Sequence, residues 1–199
     1  PIGGTAVGTG INCPDGFAAD VCIFLYEEHR LPFCEAKDHV ASASNRNLAV
    51  AASGALRRTA LGLGKIASDL RLMASGPRCG LGEIRLPTLQ PGSSIMPGKV
   101  NPVLCESVIQ VACQIVGCDS AIAAGATGGV GSILELNVCM PMIASNLLTE
   151  IQLLTNVSRV FADKCVAGIE ADADRCAFYI EQSLAMATVL APRIGYDKA

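Results

Sequence analysis

Apolar positions recur at steps of three and four along three long stretches of the chain, and glycine- and proline-rich runs separate them. The longest covers residues 38–73. Leu48, Ala52, Ala55, Thr59, Leu63, Ile66, Leu70 and Met73 predict a buried helical face there, with Arg46, Arg57, Arg58 and Lys65 opposite. One helix of about 35 residues would be about 50 Å long, the scale of a helical bundle rather than a sheet protein. Gly54, Gly62 and Gly64 cost such a helix about 1 kcal/mol each against alanine. Close approach of a neighbouring helix is the expected compensation. A second helical pattern begins near Pro102, a favourable first-turn residue, and runs to about Ala124, where GATGGVGS (125–132) breaks it. A third runs from about Leu136 to Val166, with a bend expected at Pro141. Its apolar face is Met142, Ile143, Leu147, Ile151, Leu154, Val157 and Phe161.

Shorter elements flank these. Residues 1–14 are glycine-rich and read as a helix end followed by a turn. Asp15 is the expected N-cap of a helix reaching His29, which Leu31, Pro32 and Phe33 end. Asp172 is expected to cap a helix to about Ser183, and TVLAPRIGYDKA (188–199) reads as a turn into a further segment. No strand-rich region and no fixed-period repeat appears. The predicted organisation is a helical-bundle domain over residues 1–190, with residues 191–199 opening a second domain that these residues do not contain.

Composition sharpens the picture. The chain is 51% hydrophobic and 17% charged, against about 25% charged in ordinary domains. Aromatic residues make up only 4%, so the apolar excess is aliphatic and suits closely packed helices in an oligomer. No run approaches about 18 apolar residues without a polar interruption, so no membrane span is expected. A net charge of -3 without a basic stripe argues against nucleic acid. Ten cysteines include no C-x-x-C pair, and only two histidines are present, so no zinc or other metal site is expected. The thiols read as free, mostly buried small hydrophobes in a reducing compartment, Cys113 and Cys139 lying in apolar helical patterns.

The chemistry concentrates in GSSIMPGKVNP (92–102). Gly92 and Gly98 let backbone amides converge on one point, and Pro97 and Pro102 limit the loop's freedom. Lys99 adds a full positive charge, and Asn101 an amide beside a helix N-terminus. Such a loop suits a small polyanion. A structural Gly/Pro turn accounts for the same residues without a ligand. A serine here is either a nucleophile or a base, but the strand–G-x-S-x-G–helix context of nucleophilic hydrolases is absent. A serine base needs N–H donors and a cation nearby, and Ser93 has both within the loop. GGTAVGTG (3–10) lacks the G-K-[ST] of a phosphate loop and reads as a helix terminus. GPRCGLGEI, with Arg78 and Glu83, reads either as a coupling between loop and bundle or as a surface turn.

GSSIMPGKVNP closely resembles the signature loop of the fumarase/aspartase superfamily, and Gly98 before Lys99 resembles class II fumarases in particular. GGTAVGTGIN (3–12), KIASDLRLMASGPRCGLGEI (65–84), ELNV (135–138) and IGYDKA (194–199) extend the likeness over nearly the whole chain. The resemblance implies an all-α, long-helix bundle: the central domain of the fumarase/aspartase (L-aspartase-like) fold, incomplete at both ends. It implies reversible hydration of fumarate to (S)-malate through an aci-carboxylate intermediate, with no cofactor and no metal. Ser93 matches the family's C3 base. Ser94, Lys99, Val100 and Asn101 match substrate-binding positions, and Glu106 matches the carboxylate paired with a catalytic histidine. That histidine belongs to a segment that would precede Pro1. His29 and His39 are expected to be solvated surface residues. The resemblance further implies a homotetramer in the cytoplasm, or in a mitochondrion. ATGGVGSILELNV departs from the family's usual turn before ELNV, which puts local packing in question. Two other readings stay open: an aspartate ammonia-lyase using the same loop, and a non-catalytic helical assembly core.

Overall fold

A computed structural model of the chain describes residues 1–128 and 130–199. It resolves into two compact units, Pro1–Arg58 with Gln114–Gln152, and Thr59–Cys113 with Leu153–Ala199. Seven α-helices dominate the described residues, as the apolar periodicity predicts. Three of them are long and contribute a segment to each unit.

In the first unit, α1 covers Phe17–His29 and α2 covers His39–Ser44. Asp15 is not the cap of α1. Gly16 holds that position in a left-handed conformation with no side-chain bond. Asp38 caps α2 instead, its Oδ1 accepting the Ala41 N–H at 2.9 Å. The single helix expected over residues 38–73 is interrupted. Asn45 is extended (φ -133°, ψ 165°), and its side chain donates to the Ala41 carbonyl and accepts the Asn47 N–H at 3.1 Å. An asparagine that bonds neighbouring backbone groups in this way competes with helix continuation. Helix α3 then runs over Asn47–Met73, 27 residues and roughly 40 Å.

The buried seam of α3 also differs from expectation. Ser53, Ala60 and Ala67 are essentially fully buried, while Leu48 is 87% exposed and Ile66 half-exposed. Small residues at steps of seven form the contact seam, Leu63 and Leu70 are partly buried against the core as predicted, and Leu48 and Ile66 face outward. Of the three glycines expected at a close helix approach, Gly64 has one: a Cβ there would lie 3.4 Å from the Ala112 Cβ. Gly54 and Gly62 have no neighbour within 4 Å of that position.

Helix α4 covers Val103–Gly125, close to the expected limits. The break after it includes Gly129, which lies outside the described residues. By length and composition α4 could cross a membrane, contrary to the run-length reading. Its Asp119, however, is buried against protein partners, as core helices allow. Helix α5 covers Met140–Lys164 and so starts later than Leu136. Ile133 and Leu136 instead exchange backbone hydrogen bonds of 3.0 and 2.9 Å. Asn137 of ELNV donates to the Ala43 carbonyl at 2.9 Å, tying this turn to α2. Pro141 is the second residue of α5, where its missing N–H leaves no helical bond unmade, and so is not an interior bend. Ile143, Leu154, Val157 and Phe161 are buried as predicted, but Ile151 is 45% exposed.

In the second unit, Ala67, Cys105, Val108, Val157, Phe161 and Cys165 form the core. Burial pushes the Cys105 thiol up to about 12, and its neighbour Cys165 adds to the effect. The cysteines are free, but only Cys105, Cys118 and Cys165 are buried, and Cys34, Cys79 and Cys113 are exposed. A mostly buried set is therefore not observed. Strands β1 (Ile84–Arg85) and β2 (Glu170–Ala171) pair antiparallel, with Arg85 opposite Glu170. Asp172 caps α6 (Ala173–Gln182) as expected, accepting the Arg175 N–H at 3.1 Å. Helix α7 covers Ala187–Ile194.

Candidate active site

The loop between β1 and α4 lies on the second unit, beside two hollows that both border Gly98, Lys99 and Val100. The larger, about 1340 Å³, is also lined by Asn101 and Glu106. The smaller, about 420 Å³, is also lined by Gly92 and Ser93. Of the candidate residues, Ser93 therefore shares one hollow with Lys99 and Val100, and Glu106 and Asn101 share the other with the same pair. Ser94 lines neither.

Local backbone geometry positions Ser93. Its half-buried Oγ accepts the N–H groups of Ile95 and Met96 at 3.2 and 3.1 Å. Two donors on one hydroxyl oxygen favour its anionic form over the neutral one. The turn behind it closes with the Lys99 N–H donating to the Met96 carbonyl at 3.2 Å, and Gly98 takes φ +78°. Gly92 permits the loop's closest approach: a Cβ there would run into the Lys99 carbonyl. Lys99 is exposed, and among the described residues it forms no ion pair.

Asn101 and Pro102 lead into α4, with the Glu106 N–H donating to the Pro102 carbonyl at 3.1 Å. Glu106 thus stands in the first turn of the helix, where a carboxylate is electrostatically favoured. Its side chain is 32% exposed and its Oε1 lies 3.7 Å from Nη2 of Arg71. Arg71 escaped the sequence reading, because a lone arginine in a helix's last turn is ordinary.

The GPRCGLGEI turn forms a wall of the larger hollow and is held by α6. Arg175 donates to the Leu81 and Gly80 carbonyls at 3.0 and 3.2 Å, and the Tyr179 hydroxyl donates to Gly80 at 3.2 Å. Arg85 pairs with Asp172 at 2.8 Å. The Arg175 N–H, and then Arg85, hold the Asp172 carboxyl below the usual carboxylate range. Arg71, Arg78, Arg85, Lys99 and Arg175 line the hollow against Glu106, Asp172 and Asp174, an excess of positive charge that favours a small anion.

Neither histidine joins this site's residues. His29 is exposed beside Glu28, and His39 is not the solvated residue expected: its side chain is 18% exposed, with Nε2 3.2 Å from Glu35. Among the described residues no group of three or more potential metal ligands is present.

A family model described as "Lyase" matches residues 1–117. The chain is 50% identical over 197 residues to "Fumarate hydratase class II" of Pseudomonas putida, covering 99% of this chain and 42% of that protein. It is 51% identical over 199 residues to "Fumarate hydratase class II" of Mycobacterium tuberculosis, covering all of this chain and 41% of that protein. The solved class II fumarase of Schistosoma mansoni superposes with a TM-score of 0.93 at 41% identity, covering 98% of this chain and 43% of that one. The chain thus spans about two fifths of the length of the relatives it matches.

Proposed function

From the premise that this chain belongs to the lyase family, we propose that it serves in a class II fumarase, catalysing reversible hydration of fumarate to (S)-malate. The observation that carries the proposal is the loop. Ser93 has its hydroxyl oxygen on two backbone amides and shares a hollow with Lys99, which forms no ion pair among the described residues.

In the malate direction, Ser93 takes the C3 proton as a general base. The electron pair left on C3 delocalises into the adjacent carboxylate, which becomes a doubly charged aci-carboxylate. Lys99, Asn101, Ser94 and the backbone at Val100 bind the dicarboxylate, and their cationic and amide groups stabilise that state more than the ground state. Hydroxide leaves C2 and takes up a proton, giving fumarate and water. Glu106 orients the imidazole that supplies this proton. Neither His29 nor His39 lines either hollow, so that imidazole is not one of this chain's two histidines.

The outward aliphatic residues of the long helices, such as Leu48, Ile66, Leu148 and Ile151, support packing against further copies in a homotetramer. The cytoplasm is the proposed compartment, where ten free thiols persist. The test is to offer the complete protein malate and aspartate side by side. Turnover of malate without ammonia release from aspartate supports the reading. Ammonia release with no turnover of malate overturns it in favour of an aspartate ammonia-lyase.

A further inference from the structure

The first unit contains a polar cluster that the proposed chemistry does not use. Ser53 on α3 and Glu150 on α5 are both 0% exposed, and Asp119 on α4 is 5% exposed. The Ser53 Oγ lies 2.9 Å from Asp119 Oδ1 and 2.9 Å from Glu150 Oε1. The other Asp119 oxygen, Oδ2, receives the Arg57 guanidinium at 2.6 Å. Glu150 Oε2 is buried and has no hydrogen-bond partner among the described residues.

Counting protons resolves this arrangement. A serine hydroxyl has one hydrogen and donates to one acceptor. Two ionised carboxylates at hydrogen-bond distance from the same oxygen would leave one contact between lone pairs, inside the protein, where such a contact is most unfavourable. A second proton removes the conflict, and Arg57 decides which acid carries it. Asp119 has the guanidinium as its counter-ion. Glu150 has no cation and is wholly buried.

We propose that Glu150 is a buried proton-binding site, neutral at physiological pH, donating from Oε1 to Ser53, which donates in turn to Asp119. The resulting chain runs from Glu150 through Ser53 and Asp119 to Arg57, with every proton placed. It also accounts for the unpartnered Oε2, which becomes the carbonyl oxygen of a neutral acid and costs less to leave unpaired than a carboxylate oxygen.

The surroundings agree. Ser53 from α3 and Asp119 from α4 face Glu150, and Arg57 reaches the cluster through Asp119. On α5 the residues one turn away, Asn146, Leu147, Leu153 and Leu154, are uncharged. Burial raises the Glu150 carboxyl above its ordinary value of 4.5, with the Ser53 bond opposing and the Asp119 charge reinforcing the rise. A carboxyl raised in the folded state contributes stability that is complete below 4.5 and is lost as pH climbs through its folded value. Deprotonation would place a second negative charge beside Asp119, in a unit where three helix segments meet at one hydroxyl.

The test uses infrared spectroscopy and thermal unfolding of the complete protein. The wild type should show the carbonyl stretch of a protonated carboxylic acid at neutral pH, and E150Q should remove it. E150Q keeps the shape and the donor of a neutral acid, so it should fold and melt close to wild type at neutral pH. The difference in melting temperature should shift in favour of E150Q as pH rises, because glutamine has no proton to lose. A wild-type spectrum without the protonated-acid band at neutral pH overturns the proposal without any variant. A band that persists in E150Q, or an E150Q protein that does not fold, also overturns it.

Discussion

Ser53 and Ser93 are the same side chain in opposite settings. Ser53 is fully enclosed, and its hydroxyl joins two carboxyl groups from two other helices. Ser93 is half-buried on a loop, and its oxygen is held by two amides of that same loop. Each has a cation in its neighbourhood. Arg57 is committed to Asp119 at 2.6 Å, while Lys99 faces a hollow with no ion pair among the described residues. The difference lies in what has been left unpaired. Around Ser53 the hydroxyl, both Asp119 oxygens and one Glu150 oxygen have partners inside the protein, so the cluster ties three helices together. Around Ser93 the Lys99 charge has no ion pair among the described residues, which is what the proposed ligand site requires. Burial converts polar residues into structure, and a site needs the opposite: prearranged groups whose last partner is the ligand.

Two substitutions sharpen this contrast. The larger effect belongs to the loop. Gly92→Ala drives a methyl group into the Lys99 carbonyl and shifts Ser93 and Lys99 against each other. A displacement near 1 Å at a site of this kind costs roughly 100-fold in turnover. Steady-state kinetics should show that loss in the complete protein with little change in melting temperature, since the loop is largely exposed. The smaller effect belongs to the cluster. Ser53→Ala leaves both carboxyl groups without their shared partner and should destabilise the fold by about 1–3 kcal/mol. Chemical denaturation measures it, and turnover per folded molecule should be unchanged. A Ser53→Ala protein with full stability would erase the contrast from one side, and a Gly92→Ala enzyme with full turnover would erase it from the other.

The sequence exposed the loop more readily than the cluster for a physical reason. The loop's residues are contiguous, so their types and spacing survive in the linear text, down to Gly92 and the close approach it permits. The cluster's partners are 66 and 97 residues apart, and each looks like an ordinary polar interruption of an apolar helix. The long helices were legible from periodicity, but the break at Asn45 was not, because it depends on one side chain bonding its own backbone. The seam of α3 was only partly placed, Leu63 and Leu70 correctly and Leu48 and Ile66 not, because periodicity shows only that one face is apolar. It does not show whether the covering partner is this chain, and here the chain itself buries Ser53, Ala60 and Ala67 while Leu48 stays outside. Arg71 gave no signal, since its meeting with Glu106 joins the end of one helix to the start of another.

In the proposed chemistry the Ser93 hydroxyl is the base that exchanges a proton with the C3 carbon of a four-carbon dicarboxylate. The most direct measurement follows conversion of fumarate to malate in heavy water by NMR, as deuterium appearing at C3, for the complete wild-type protein and for Ser93→Ala. Ser93→Ala should lose about 10²–10⁴-fold in rate, the span of a general base, at an unchanged melting temperature. A Ser93→Ala enzyme that deuterates C3 at close to the wild-type rate would contradict it.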